Sequence, residues 1–197
     1  MNEATRSAVV GNPISHSKSP RIHGLFASET GEPLEYTAIQ APLDDFAMTV
    51  REFFERGGKG LNVTVPFKEE AWTLSERRTE RAEKAGAANT LYLDEQGILT
   101  ADNTDGCGIV QDLVSNHGVT LKGARVLMLG AGGAVRGVLG PILAEHPASI
   151  TIANRTVARA EGLVELFAPV AGEARLSACG FKEPEKPFDV IINGTSA

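Results

Sequence analysis

The stretch Arg125–Gly137 reads Arg-Val-Leu-Met-Leu-Gly-Ala-Gly-Gly-Ala-Val-Arg-Gly, and it limits what the chain can fold into more than any other. A short apolar run, Val126–Leu129, stops at a glycine cluster and restarts as a helix-like segment, Ala134–Glu145. An apolar run this short, bounded by glycine, suits a strand buried on both faces of a parallel sheet. Gly130 permits the tight turn, and Gly132 lets the backbone approach a pyrophosphate. The following helix offers free N–H groups and the positive end of its dipole to that anion. The last position of the G-x-G-x-x-G fingerprint is Val135 rather than Gly or Ala, so the match needs support from its surroundings.

The spacing to the next strand supplies that support. Ser149–Ala153 is another short β-branched run, ending at Asn154-Arg155-Thr156. An NAD-binding unit puts an acidic residue there, roughly 20 residues past the glycines, to hold the ribose 2′-hydroxyl. No acid occurs between Ser149 and Ala160; Arg155 and Arg159 stand there instead, as a 2′-phosphate would require. Two charge-assisted contacts at about 1.5–3 kcal/mol each give roughly 2–4 decades of preference for NADP. The same arginines also suit a solvated pair on a helix beside Glu161 and Glu165. Strand, glycines and arginines agree in register, so the expected cofactor is NADP.

Composition sets outer bounds. The chain has 197 residues, 42% hydrophobic and 22% charged, with a net charge of −6, as ordinary globular proteins do. An acidic balance argues against a nucleic-acid partner. Cys107 and Cys179 have no C-x-x-C spacing, so no zinc site or disulfide framework is expected. The start of the chain carries Asn2, Glu3 and Arg6 and no apolar signal segment, and no stretch approaches the ~18 apolar residues of a membrane span. The expectation is a cytoplasmic protein with no membrane partner.

Strands and helices alternate along the whole chain, the signature of α/β architecture. Ser7–Gly11, Leu34–Ile39 and Leu61–Val65 read as strands. Ser19-Pro20 opens a helix with serine as its cap. Leu43–Arg56 is amphipathic, with Phe46, Val50, Phe53 and Phe54 on one face. Helices are expected over Phe67–Leu74, Thr79–Ala85 and Thr104–His117, and a hairpin over Ala88–Leu93 and Ile98–Ala101. The dinucleotide unit begins near Thr104. Residues 1–103 are therefore expected to form a substrate-binding domain and residues 104–197 a Rossmann-type NADP-binding domain, with the site in the cleft they share.

Three polar clusters stand at strand ends or turns, where site residues are usually presented. In Ser15–Pro20, hydroxyls at a helix start suit a carboxylate, or simply a cap. In Asn62–Lys68, Asn62 and Thr64 share a strand face, Pro66 stops the ladder, and Lys68 emerges at a helix start against its dipole. Such a placement marks a functional position, or a surface lysine paired with Glu69 or Glu70. In Asp102–Gly106, Asp105 suits a helix cap or the partner of a lysine in a proton relay for carbonyl reduction. A zinc dehydrogenase lacks its ligand set here. A Tyr-x-x-x-Lys pair is missing, since Gln40 and Gln96 follow Tyr36 and Tyr92 at that offset. Cys107 reads as helix packing.

Gly11–Pro20, Asn62–Lys68, Ala88–Thr90, Asp102–Gly106, Gly130–Arg136 and Asn154–Thr156 together resemble the shikimate dehydrogenase family of aromatic amino acid and chorismate biosynthesis, over the whole chain. The resemblance implies an oxidoreductase that reduces 3-dehydroshikimate reversibly to shikimate with NADPH. It implies that Ser17 and Ser19 bind the substrate carboxylate, that Thr64, Asn89 and Asp105 bind ring hydroxyls, and that Lys68 and Asp105 are the catalytic pair. It also implies that Gly130, Ala131, Gly132, Gly133 and Ala134 cradle the pyrophosphate, while Asn154, Arg155, Thr156 and Arg159 hold the adenosine end. No metal is implied; a monomer or homodimer is expected. A quinate/shikimate dehydrogenase that uses NAD is the nearest rival.

In a 3-2-1-4-5-6 strand order, Phe188–Asn193 is strand 4, beside strand 1. Strands 5 and 6, a substrate-binding glutamine and part of the nicotinamide pocket have no counterpart in the sequence. The Rossmann-type domain is therefore expected to be C-terminally incomplete, with Val190, Ile191 and Ile192 on an uncovered edge. Such a chain is expected to be association-prone and weakly active, or to be a non-catalytic nucleotide-binding remnant.

Overall fold

The computed structural model describes residues 4–184 and 187–195; Asn2 and Glu3 at one end and Ser196 and Ala197 at the other lie outside them. The chain forms two compact units. One is built from the residues up to Glu83 together with Ala87–Asn103, and the other from Lys84–Gly86 together with the residues from Thr104 onward.

The first unit carries β1 (Thr5–Gly11), α1 (Ser19–Thr30), β2 (Leu34–Gln40), α2 (Phe46–Glu55), β3 (Gly60–Val63) and α3 (Lys68–Leu74). It continues with β4 (Arg77–Arg78), α4 (Glu80–Ala85, of which Lys84 and Ala85 count with the second unit), β5 (Thr90–Leu93) and β6 (Leu99–Asp102). The strands form one six-stranded sheet in the order β2-β1-β3-β5-β6-β4. β1 runs parallel to both β2 and β3, and the hairpin strands β5 and β6 are antiparallel. Alternation along each strand gives the sheet two unlike faces. Ala8, Val10, Leu61 and Val63 face an apolar core with Phe46 and Val50 of α2 and Ala71 of α3. Val9, Asn62 and Thr64 point the other way.

Several boundaries differ from the sequence expectation for local reasons. α2 begins at Phe46, not Leu43, because Pro42–Asp45 is a turn closed by Asp45 N–H donating to the Pro42 carbonyl at 3.3 Å; Leu43 is left 66% exposed. β3 ends at Val63, since Thr64 already belongs to a turn in which Phe67 N–H donates to its carbonyl.

The second unit holds α5 (Asp105–Val110), β7 (Arg125–Leu129), α6 (Gly133–Ala144), β8 (Ser149–Ala153), α7 (Val157–Phe167), β9 (Arg175–Cys179) and β10 (Val190–Asn193). The helix expected over Thr104–His117 is α only to Val110 and continues as a π-helical segment, Gln111–Asn116. The four strands are all parallel in the order β10-β7-β8-β9. This is the doubly wound order 4-1-2-3, with β10 beside β7 as expected. Val126, Met128, Ile150 and Ile152 of the sheet pack with Leu139 and Ile142 of α6 and Leu163 and Phe167 of α7. Ile192 of β10 joins that core at 8% exposure, whereas Ile191 is 62% exposed. Among the described residues no helix is long and apolar enough to cross a membrane.

Candidate active site

In the first unit, Ser19 does not cap its helix as the sequence suggested. Ser19 is the first residue of α1 rather than its cap, and Lys18 holds the cap position. The Ser17 hydroxyl instead accepts the Ser19 N–H at 3.3 Å, and Ser17 N–H donates to the Ile14 carbonyl at 2.9 Å. A cap at Ser19 would need its own backbone outside the helix. The Pro20 ring already fits one residue inside, so the helix starts one position earlier.

Thr64 continues the β3 ladder by one bond, its N–H donating to the Val10 carbonyl at 3.0 Å. Its side chain lies over Gly11, where a Cβ would come within 2.5 Å of Thr64 Cγ2. Lys68 opens α3 as expected, with Glu69 and Glu70 in the same turn. Its carbonyl accepts the Ala88 N–H at 2.8 Å, which ties the start of α3 to the segment carrying Asn89. Asn89 is held from both sides: its N–H donates to the Asp102 carbonyl at 3.0 Å, and its carbonyl accepts the Val63 N–H at 2.7 Å. Thr64, Lys68 and Asn89 are therefore fixed to one another through backbone bonds at one end of the sheet.

Sequence reasoning placed Asp102 in a polar cluster but missed its pairing with Arg81. Asp102 is 9% exposed at the close of β6. Its Oδ1 accepts from Arg81 Nε and from Thr79 Oγ1, each at 2.6 Å, its Oδ2 accepts from Arg81 Nη2, and its carboxylate also takes the Asn103 N–H at 2.7 Å. The bonds from Arg81 are the main reason its carboxyl is held below the usual carboxylate range, against the opposing effect of burial. The available signal was an acid at the end of a buried strand, which needs a cation. Nothing in the sequence said which of the nearby arginines supplies it.

In the second unit, Asp105 is the first residue of α5; Thr104, not Asp105, occupies the cap position. Cys107 is exposed rather than packed.

The glycine loop follows β7. Gly130 has φ +104°, a backbone that a side chain rarely adopts, and a Cβ there would lie 3.0 Å from the Gly194 carbonyl oxygen. Ala131 is 8% exposed, while a Cβ on Gly132 would meet nothing within 4 Å, so the space beside that peptide is open. Gly133 and Ala134 form the first turn of α6. Val135, which spoiled the fingerprint, is 2% exposed, and a Cβ on Gly194 would come within 2.6 Å of its Cγ2. The bulk expected to be missing from the helix is thus accommodated by a glycine after β10.

β7 and β8 pair Leu129 with Ala153, and Gly130 N–H donates to the Ala153 carbonyl at 2.8 Å, so the glycine loop and Asn154 leave the sheet side by side. Asn154 Nδ2 donates to the Thr156 carbonyl at 2.8 Å, shaping the turn into α7, which Thr156 precedes as cap residue. Arg155, Thr156 and Arg159 are exposed around that turn. Open backbone at a helix start, with one exposed arginine in the turn after the next strand and another in the first turn of α7, fits a dinucleotide carrying a 2′-phosphate.

A parallel sheet in this order, with a glycine loop after its first strand, has the architecture of the dinucleotide-binding domains of oxidoreductases. The chain belongs to the shikimate dehydrogenase family. Residues 9–91 match the family model described as the shikimate dehydrogenase substrate binding domain, and residues 112–197 match the one described as shikimate / quinate 5-dehydrogenase. A shikimate dehydrogenase (NADP(+)) of Marinobacter nauticus is 73% identical over 190 residues, covering 96% of this chain and 69% of the relative. An Ael1 enzyme from Pseudomonas putida superposes with a TM-score of 0.86 at 46% identity, covering 98% of this chain and 70% of that one. A shikimate dehydrogenase solved in complex with NADP+ superposes with a TM-score of 0.87 at 29% identity, over 98% and 67%.

Proposed function

We propose that the chain catalyses the reversible, NADPH-dependent reduction of 3-dehydroshikimate to shikimate, with residues 1–103 holding the substrate and residues 104–197 the cofactor. The observation that carries the substrate half is the backbone lattice joining Thr64, Lys68 and Asn89 at one sheet end. It supports a reading in which a hydroxyl, a cation and an amide serve a polyhydroxylated carboxylic acid. Ser17 and Ser19 at the start of α1 bind the carboxylate; Thr64, Asn89 and Asp105 bind ring hydroxyls.

NADPH, when bound, supplies the hydride. Gly130–Ala134 receive its pyrophosphate, and Asn154, Arg155, Thr156 and Arg159 hold the adenosine and 2′-phosphate end. Lys68 delivers a proton to the carbonyl oxygen as it becomes a hydroxyl and takes that proton back in the reverse direction, while Asp105 hydrogen-bonds the same hydroxyl and orients it. The expected setting is the cytoplasm, and the expected assembly is a monomer or homodimer.

The test is NADP+ reduction by this polypeptide with shikimate, with NAD+ and quinate as comparison substrates. Turnover confined to NADP+ and shikimate supports the reading. Equal turnover with NAD+ and quinate favours the broader quinate/shikimate activity. Retained NADPH binding without turnover favours a non-catalytic nucleotide-binding chain.

A further inference from the structure

β7 lies between β10 and β8, so the glycine loop that follows it has a neighbour on each side. On one side is the turn at Asn154, which the proposed function gives to the adenosine end of the cofactor. On the other is Asn193–Thr195, which that reading leaves without a role. This second neighbour is stiff and close. The Gly194 N–H donates to the Leu129 carbonyl at 2.8 Å, carrying the β10–β7 ladder one bond further. Asn193 Oδ1 accepts both the Thr195 N–H, at 3.0 Å, and the Thr195 hydroxyl, at 2.7 Å, and so closes a turn around Gly194.

Gly194 leaves no room to spare against the loop. A Cβ on Gly130 would stand 3.0 Å from the Gly194 carbonyl oxygen. A Cβ on Gly194 itself would stand 2.6 Å from Val135 Cγ2 and 3.6 Å from the Val135 backbone nitrogen. Val135 has nowhere to retreat, because it is 2% exposed in the core that also holds Met128, Leu139 and Ile192. A side chain in a close-packed core passes a push on instead of absorbing it. Val135 follows Gly133 and Ala134 in the first turn of α6, so a push on it moves the peptides assigned to the pyrophosphate.

We propose that Gly194 is a positioning residue for the cofactor: by leaving room for Val135, it sets the start of α6 where the Gly130–Ala134 peptides donate to the pyrophosphate. The inference rests on the cofactor reading above. It makes the turn after β10 part of the nucleotide-binding machinery, and it makes Val135 and Gly194 a pair that must change together.

The test is calorimetric binding of NADP+ and of adenosine 2′-phosphate, which keeps the 2′-phosphate but lacks the pyrophosphate, to the full chain and three variants. Gly194→Ala is expected to weaken NADP+ about five- to tenfold, the effect of one lost hydrogen bond, with adenosine 2′-phosphate held within about twofold. A general loosening of the fold would weaken both ligands alike. Val135→Ala opens a cavity and lowers the melting temperature, yet is expected to bind NADP+ as the parent does. In the double variant the new Cβ meets nothing nearer than the Leu129 carbonyl oxygen, at 3.4 Å. NADP+ affinity is therefore expected to return to within about twofold of the parent, a non-additive result. Should Gly194→Ala not fold, a double variant that folds and binds NADP+ at parental affinity gives the same support, and one that also fails to fold overturns the proposal. Full NADP+ binding by folded Gly194→Ala, an equal loss for adenosine 2′-phosphate, or additive losses in the double variant would each overturn it while leaving the cofactor reading intact. A parent chain that binds no NADP+ would overturn both.

Discussion

Arg81 grips Asp102 with two prongs, Nε on one carboxylate oxygen at 2.6 Å and Nη2 on the other, and so clamps the end of β6 to the start of α4. A carboxylate whose pKa is depressed in the folded state adds stability above its unfolded pKa, near ~3.9. That stability is lost as pH falls through the folded pKa. Replacing Asp102 by Asn is therefore expected to lower the melting temperature at pH 7, with the deficit narrowing as pH drops below about 4. Thermal melts from pH 7 to pH 3 check this; a deficit constant across that range would assign the effect to packing instead.

Lys68→Ala removes the proposed proton donor while leaving untouched the backbone bond from its carbonyl to Ala88. The expected result is a fall in kcat of about 10²–10⁴-fold, with KM for shikimate changed far less. Steady-state kinetics measure it directly, and a large change in KM with kcat preserved would make Lys68 a binding residue only.

Arg155→Ala and Arg159→Ala act on the exposed turn before and within α7. Each loses a charge-assisted contact worth about 1.5–3 kcal/mol, so KM for NADP+ is expected to rise roughly 10–100-fold. KM for NAD+ should stay near its parental value. Equal losses with both cofactors would deny the arginines their role in reading the 2′-phosphate.

Gly106 and Gly108 lie in the same helix, α5, yet opposite outcomes are expected from the same substitution. A Cβ on Gly106 would come within 2.4 Å of the Gly137 carbonyl and 2.5 Å of Pro141 Cγ, so α5 and α6 must separate. Gly106→Ala is expected to cost about 1–3 kcal/mol, as overpacking does. A Cβ on Gly108 meets nothing within 4 Å, and Gly108→Ala should be neutral or stabilise by up to about 1 kcal/mol through helix propensity. Urea melts of the two variants provide the comparison.

The elements most legible in the sequence were those whose cause is local. Val126–Leu129 and Ser149–Ala153 announce themselves as buried parallel strands because their apolar runs end at glycine or asparagine. The error at Leu43 was also local: its hydrophobicity suited the helical period, but the turn after Pro42 overrides it. The place of Lys68 at a helix start was legible because Pro66 keeps any strand from running into it, although β3 itself already ends at Val63. Arg81 and Asp102 were not, since the pairing depends on β4 lying parallel to β6, and β4 is a strand of two residues with no periodicity to read. Tyr36, whose hydroxyl donates to Asn62 Oδ1 at 2.6 Å, was equally silent. Its reach to Asn62 follows from the order β2-β1-β3, which no single segment encodes. Val135 looked like a flaw in the glycine fingerprint until its neighbour Gly194, far along the chain, supplied the missing room.

The alternation along β3 has a consequence for quality control. Leu61 and Val63 are 1% and 2% exposed on the core side, and by alternation Asn62, with Thr64 just past the strand end, belongs to the other face. A slip of one residue against β1 would exchange the two sets, burying an amide and a hydroxyl and exposing two aliphatic chains. A chain that pairs β3 wrongly therefore loses its binding groups and its core in the same event. Misregistered molecules would be removed by unfolding and proteolysis instead of persisting as folded, inactive protein.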